Sequence, residues 1–297
     1  MSAARKSLDA TAVAVMVLLC LIWGFNQVAA KLAAHGVSLV MQAGIRSAVA
    51  TLLLVAWARV RDIPLLEGDG TLGPGLLAGA LFGAEFLFIF LGLAHTTASR
   101  LVVFVYLAPC FTALGLAWLV PGERLTAVQW VGVVLGFAGV ALAFSEGFFS
   151  GAGAGLLGDV YGVLAGALWA ATTVLIRATR LGSASASKTL LYQLAVSAVG
   201  LLAASRLLGE PGVVALDAVT VASLVYQGAI VAFASYLAWF WLLTKYLAAR
   251  LSVFSFLTPL FGVLAGVLVL GEPLTPIFVC GAVLVGAGIV LVNRRRT

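Results

Sequence analysis

The sequence predicts an all-α polytopic membrane protein: ten transmembrane helices arranged as two inverted five-helix repeats around a central cavity. Three observations predict it. Of 297 residues, 63% are apolar or aromatic and only 9% are charged, against about 25% charged in soluble domains. The mean hydropathy of +1.16 extends over the whole length, and the apolar residues fall into ten runs of roughly span length. Finally, the second half of the chain repeats features of the first.

A span needs ~20 apolar residues to cross ~30 Å of hydrocarbon, so ten use roughly 200 residues and leave no room for a soluble catalytic domain. The first run, near 10–33, follows Arg5 and Lys6 and is longer than the usual 7–15-residue core of a secretory signal. The second lies near 37–58; Ile63-Pro64 and the Glu67 to Gly70 stretch separate it from 73–94. The fourth, 98–119, stops before Pro121-Gly122, and the fifth covers 126–145. A glycine-rich stretch from Gly147 to Gly155 precedes 156–179 and 187–208. Glu210-Pro211-Gly212 leads into 217–243, and Gly271-Glu272-Pro273 divides 250–270 from 274–292. All are read as helices, because the bilayer leaves unpaired backbone groups no water and the runs lack the dyad alternation of a barrel.

Loop charge predicts the orientation. With the N-terminus inside, one side holds Arg5, Lys6, Arg59, Arg61, Arg124, Arg177, Arg180, Lys188, Lys245, Arg250, Arg294, Arg295 and Arg296. The other holds Lys31, Arg100 and Arg206, while Arg46 is within a span. The positive-inside rule therefore places both ends in the cytoplasm. The net charge of +6 is scattered, and its terminal cluster suits anionic lipid rather than nucleic acid. Three dispersed cysteines, Cys20, Cys110 and Cys280, and two histidines, His35 and His95, give no disulfide framework and no metal spacing.

Residues 100–109, RLVVFVYLAP, match residues 250–259, RLSVFSFLTP. Gly122-Glu123-Arg124-Leu125-Thr126 faces Gly271-Glu272-Pro273-Leu274-Thr275; Gly132 answers Gly281 and Gly139 answers Gly288. Leu168-Trp169 with Arg177 echoes Ile22-Trp23 with Lys31. The period is close to half the chain. Since five is odd, the second copy enters the membrane from the opposite side, an architecture of secondary transporters with the substrate site between the halves. The expected organisation is a cytoplasmic end 1–9, repeats at 10–145 and 156–292, an external linker 146–155, and a basic cytoplasmic end 293–297.

The Leu21-Ile22-Trp23-Gly24-Phe25 run, Arg46, the paired Leu-x-Pro segments and the paired Gly-Glu-x-Leu-Thr segments resemble the drug/metabolite transporter superfamily. Within it the chain is most similar to the EamA family, which includes the YddG-type amino-acid exporters. That resemblance implies a ten-helix basket around a central cavity, in a bacterial-type inner membrane. It also implies export of amino acids, with aromatic ones a known class, or of related small metabolites. A multidrug exporter of the same fold is the alternative.

Candidate site residues follow from depth. Arg46 lies roughly 13 Å into its helix and Glu85 lies at a similar depth, taking 1.5 Å per residue. A charge at mid-bilayer is expensive. The two therefore either pair and lock helices 2 and 3, with at least one member facing the cavity, or one of them meets a substrate carboxylate or ammonium group. Trp23, Asn26 and Gln27, with Trp169, Thr172 and Thr173 at the repeat-related positions, sit at comparable depth, as do Tyr106, Tyr192, Gln193, Gln227, Tyr236 and Trp239. Aromatic walls with a few fixed polar groups suit an amphipathic small molecule; interfacial anchoring is the other reading of Trp and Tyr. Pro109 and Pro259 occupy corresponding mid-span positions and act either as gating hinges or as static kinks.

No G-x-x-x-x-G-K-[ST], H-E-x-x-H or G-x-S-x-G motif is present. The chain is thus expected to be no enzyme, to need no cofactor, and to act as a monomer on a small-molecule substrate by alternating access.

Overall fold

The computed structural model describes residues 9–65, 68–119, 125–149, 153–246, 251, 254 and 257–293. Arg5, Lys6, the Gly122-Glu123-Arg124 segment, Arg250 and the Arg294, Arg295, Arg296 cluster lie outside them. The helices are α1 (Ala10–Ala33), α2 (Leu39–Val60), α3 (Leu72–Leu93), α4 (Ala98–Val105), α5 (Ala108–Leu119), α6 (Ala127–Phe149), α7 (Gly153–Ala178), α8 (Ala186–Leu207), α9 (Ala218–Val225), α10 (Ser235–Lys245), α11 (Leu257–Leu270) and α12 (Pro276–Val292). Eight segments are long and apolar enough to cross a membrane, counting 98–119 and 218–242 as one each; α11 and α12 are shorter apolar helices. Val37 and Val213 form an isolated antiparallel β bridge.

Short polar side chains start the helices. Asp9 Oδ1 accepts from Ala12 N–H at 2.9 Å, Ser185 caps α8 and Asp217 caps α9 in the same way, and Thr275 caps α12 with Pro276 in its first turn. Each satisfies a donor that the helix leaves unpaired. In the glycine-rich stretch α6 runs on through Phe149 and α7 starts at Gly153. An isolated glycine costs a helix only about 1 kcal/mol and does not stop it.

The fourth and eighth spans are not continuous α-helix. The fourth breaks at Tyr106-Leu107 into α4 and α5, because Pro109 has no N–H to return to the Val105 carbonyl. The eighth passes from α9 into π-helix over Tyr226–Ala234 before α10. π-turns inside helices are rare and cluster at functional sites.

Contacts between helix ends fix how the bundle runs. At the near end, where α1 begins, Tyr246 donates to Asp9, Lys188 pairs with Asp69 at 2.8 Å, and Gln129 donates to the Val292 carbonyl. At the far end, Lys31 donates to the Thr96 carbonyl, Arg100 pairs with buried Asp159, and the 36–38 loop binds the 212–215 loop. Lys188 together with Thr71 holds the Asp69 carboxyl well below the usual carboxylate range.

His35 and Asp217 meet at 2.6 Å on this far surface, both half exposed. The hydrogen bond to Asp217 raises the His35 pKa above its ordinary 6.5. The Thr220 backbone N–H and His35 in turn pull Asp217 down to about 2. The raised imidazole contributes stability that is complete below pH 6.5 and fades as pH rises through the folded-state value; the Asp217 share is present above about 3.8 and fades toward 2. Melting in detergent should therefore show a small stabilisation near pH 5.5 over pH 8.5 that disappears in His35→Asn. An unchanged pH difference in that variant excludes the pair as its source.

Candidate functional site

The bundle encloses a cavity of about 620 Å³. Toward the far end its lining stops at Gln27, Ile89 and Tyr106. From there it runs to the near end, past Ile176, Leu125, Gln129 and Asn293. No described residue of the far-end loops lines it.

Twelve of the fourteen residues singled out by depth line this space: Trp23, Asn26, Gln27, Arg46, Glu85, Tyr106, Trp169, Thr172, Thr173, Gln193, Tyr236 and Trp239, with Pro109 beside them. Helical spacing brings them together. On α3, Phe82, Glu85, Phe86 and Ile89 follow i, i+3, i+4, i+7 and share one face. On α1, Trp23, Asn26 and Gln27 do the same. Opposed aromatic pairs form the walls: Trp23 meets Trp239 edge-on at 6.1 Å, and Tyr106 meets Trp169 edge-on at 5.3 Å. Such T-shaped pairs hold the rings in fixed orientation. Trp23 is fixed again by its indole N–H, which donates to Ser235 Oγ at 2.8 Å at the foot of the π-helical segment.

Tyr192 and Gln227 lie off the cavity. The Tyr192 ring covers Gly75 on α3 and its hydroxyl meets Thr71 Oγ1 at 3.2 Å. Gln227 is fully buried and donates to Gln42, which donates in turn to the carbonyls of Ala30 and Val37. Both are at the right depth and point in another direction around their helices. Pro259 also lies away from the cavity, in the first turn of α11 as described. Phe82, Phe86, Gln129 and Asn293 line it without having been singled out. The α3 pair was legible from its spacing about Glu85.

The expected ion pair between Arg46 and Glu85 is not formed. The Arg46 guanidinium carbon lies 4.0 Å from the centroid of the Phe86 ring, a cation–π contact of roughly 2 kcal/mol when desolvated. Arg46 Nε and Nη1 and Glu85 Oε2 have no hydrogen-bond partner among the described residues, and neither do Asn26 Oδ1 and Gln27 Oε1. All four side chains are at least nine-tenths buried. Equal depth set the two charges on one cavity, but stacking on Phe86 turns the guanidinium to the ring instead of the carboxylate. Buried charges are ordinarily paired. Here Arg46 and Glu85 line one space without an ion pair between them. Among the described residues no group of His, Cys, Asp and Glu is arranged to hold a metal.

The family model described as the EamA-like transporter family matches residues 10–145 and 156–294. A probable amino-acid metabolite efflux pump of Escherichia coli is 26% identical over 92% of this chain and 91% of its own. An uncharacterized transporter of Archaeoglobus fulgidus is 30% identical over 95% and 98%. The uncharacterized transporter YvbV of Bacillus subtilis is 28% identical over 98% and 94%. One crystal structure superposes with a TM-score of 0.65 at 19% identity, covering 95% of this chain and 98% of the other, and so shares its fold.

Proposed function

Because the chain belongs to the EamA-like transporter family, a family of transporters and not enzymes, we propose that it exports amino acids, neutral or aromatic ones foremost, or related small metabolites across the inner membrane by alternating access. The observation that carries this reading is the cavity reaching the near end, with aromatic walls and two buried ionisable side chains, Arg46 and Glu85, that do not pair with each other. A free amino acid brings a carboxylate for Arg46, an ammonium group for Glu85 and the Asn26 and Gln27 oxygens, and a side chain for the rings. Both charges would then be satisfied by the cargo, a differential that binding can use and release.

The ten-helix, inverted-repeat layout is part of this proposal. Its support is a crossing of α6 and α12. A side-chain carbon on Gly132 would lie 2.8 Å from the Gly288 carbonyl oxygen, and one on Gly281 would lie 2.7 Å from that of Gly139. Replacing 132 by 281 and 288 by 139 turns the first contact into the second, as a pseudo-twofold axis between the halves requires. Charge asymmetry assigns the near end to the cytoplasm; the cavity would then face the compartment from which an exporter loads. One chain encloses it, in keeping with a monomer.

Counterflow in proteoliposomes tests the reading. Phe, Trp, Met or Thr outside should accelerate release of a preloaded labelled amino acid, saturably, and Asp should do so poorly. Carriage of unrelated organic cations with no amino acid transported would replace amino-acid export with multidrug export.

A further inference from the structure

Two Gly-Glu-Pro turns, Gly209-Glu210-Pro211 and Gly271-Glu272-Pro273, stand at the far end, and the site described above uses neither. In each the glycine has a left-handed backbone, with φ of 69° and 65°, which a side chain would strain. In each the carboxylate reaches across the fold to the start of a helix far earlier in the chain. Glu210 accepts from the N–H groups of Val40 and Met41, both at 3.0 Å, and from Ser205 Oγ at 2.7 Å. Glu272 accepts from Ala98 N–H at 2.7 Å, from Ser99 N–H at 2.9 Å and from Ser99 Oγ at 2.6 Å, with Lys31 Nζ at 3.7 Å. An ionised acceptor on helix-start N–H groups makes bonds about twice as strong as neutral ones.

Their surroundings differ. Glu210 is one bond among many, since Ser38 and Gly212 bond reciprocally and both Val214 and Ala215 N–H groups bind the Gly36 carbonyl. Nothing comparable backs Glu272. Among the described residues, apart from a long Ser99 Oγ contact to the Val263 carbonyl at 3.4 Å, the hydrogen bonds between α4 and the α11–α12 turn all end on its carboxylate. Directly beneath, Val102 on α4 fills the space over Gly262 of α11. One turn further along the same face comes Tyr106, where the cavity lining stops toward the far end. Ser99, Val102 and Tyr106 thus mark a line from the far surface to the cavity, roughly 10 Å long at 1.5 Å per residue.

We propose that Glu272 is a latch that keeps the far end of the transport path shut, and that its release from the start of α4 opens the cavity to the opposite side, while Glu210 is a permanent staple. The inference rests on the transporter reading and on the orientation given above. A gate of this kind needs a closure that is strong but concentrated in one group, so that a single event frees it. Of the two Gly-Glu-Pro turns, the Glu272 crossing has that form.

The test uses the full chain with Cys20, Cys110 and Cys280 replaced by alanine and Val102→Cys as reporter, labelled in whole cells by an impermeant maleimide. With Glu272 intact the reporter should react slowly. Glu272→Gln weakens the charge-assisted bonds, so the outward-open population and the labelling rate should rise about tenfold or more. Ser99→Ala removes one bond, disturbs the fold least, and should raise the rate by a smaller factor. Glu210→Gln should not raise it. Labelling that is unchanged in both Glu272→Gln and Ser99→Ala, with counterflow still measurable, overturns the latch and leaves the transporter standing. Equal acceleration by Glu210→Gln also overturns it. Absence of counterflow in the unmutated protein with any amino acid or organic cation fails the transporter reading, and the latch with it.

Discussion

Arg46→Met should abolish counterflow and yield a more heat-stable protein. The two effects have one cause. Arg46 is 1% exposed, and its Nε and Nη1 have no hydrogen-bond partner among the described residues. A lone arginine at mid-bilayer costs about 2.5–3.5 kcal/mol on insertion scales, of which the Phe86 ring returns roughly 2. Methionine fills similar volume, keeps contact with that ring and carries no charge, so stability should rise by about 1 kcal/mol. Transport should fall to background, because Arg46, the only cation among the described residues lining the cavity, is the group proposed to hold the substrate carboxylate. Melting temperature and counterflow, measured on the same preparation, check both halves. A destabilised variant would mean that Arg46 has a structural partner after all. A stable variant that still carries amino acids would move the carboxylate elsewhere. Glu85→Gln tests independence: without an ion pair, its stability change should add to that of Arg46→Met, whereas a pair would make the double variant better than the sum.

That prediction differs from what depth along the helices suggested, and the difference shows what a sequence contains. Length and apolar periodicity place a span along the membrane normal to within a few residues, so α1, α2, α3 and α8 begin and end close to the expected positions. Depth carries no azimuth. Tyr192 and Gln227 share the depth of the cavity and turn away from it, one onto Gly75 and one onto Gln42. Arg46 and Glu85 share depth and line one space, yet do not touch. Charges stood out because hydrocarbon tolerates them poorly; Phe82 and Phe86 did not, since a phenylalanine facing a cavity looks in sequence like one facing lipid. The break at Tyr106-Leu107 was foreshadowed by Pro109. The π-helix at Tyr226–Ala234 was not: no residue type marks it, and its lengthened turn depends on neighbours such as Ile22, whose carbonyl accepts from the Tyr226 hydroxyl at 2.6 Å.

Gly281→Leu should eliminate folded protein, while Gly286→Leu, five residues along the same helix, should be tolerated. Both change a glycine of α12 to the same apolar residue, so hydropathy and helix propensity shift alike, and leucine is the better helix former by somewhat under 1 kcal/mol. Only packing separates them. A side-chain carbon at Gly281 meets the Gly139 carbonyl oxygen at 2.7 Å and the Ala143 backbone nitrogen at 3.2 Å; at Gly286 it meets nothing within 4 Å. Backbone atoms cannot rotate aside as a side chain would, so α6 and α12 must separate along the whole crossing, which also contains the tight approach of Gly132 to Gly288. Membrane helices gain little from the hydrophobic effect and associate through such close approach at small residues; overpacking typically costs 1–3 kcal/mol where neighbours can shift, and more where they are backbone. Detergent-extracted protein that elutes as a single monodisperse species should be near wild-type yield for Gly286→Leu and nearly absent for Gly281→Leu. Equal yields would mean that the α6–α12 crossing is slack, and the pseudo-twofold axis argued from it would lose its support. A loss in both would point to glycine's backbone freedom in place of the crossing, although neither residue has the positive φ that would require it.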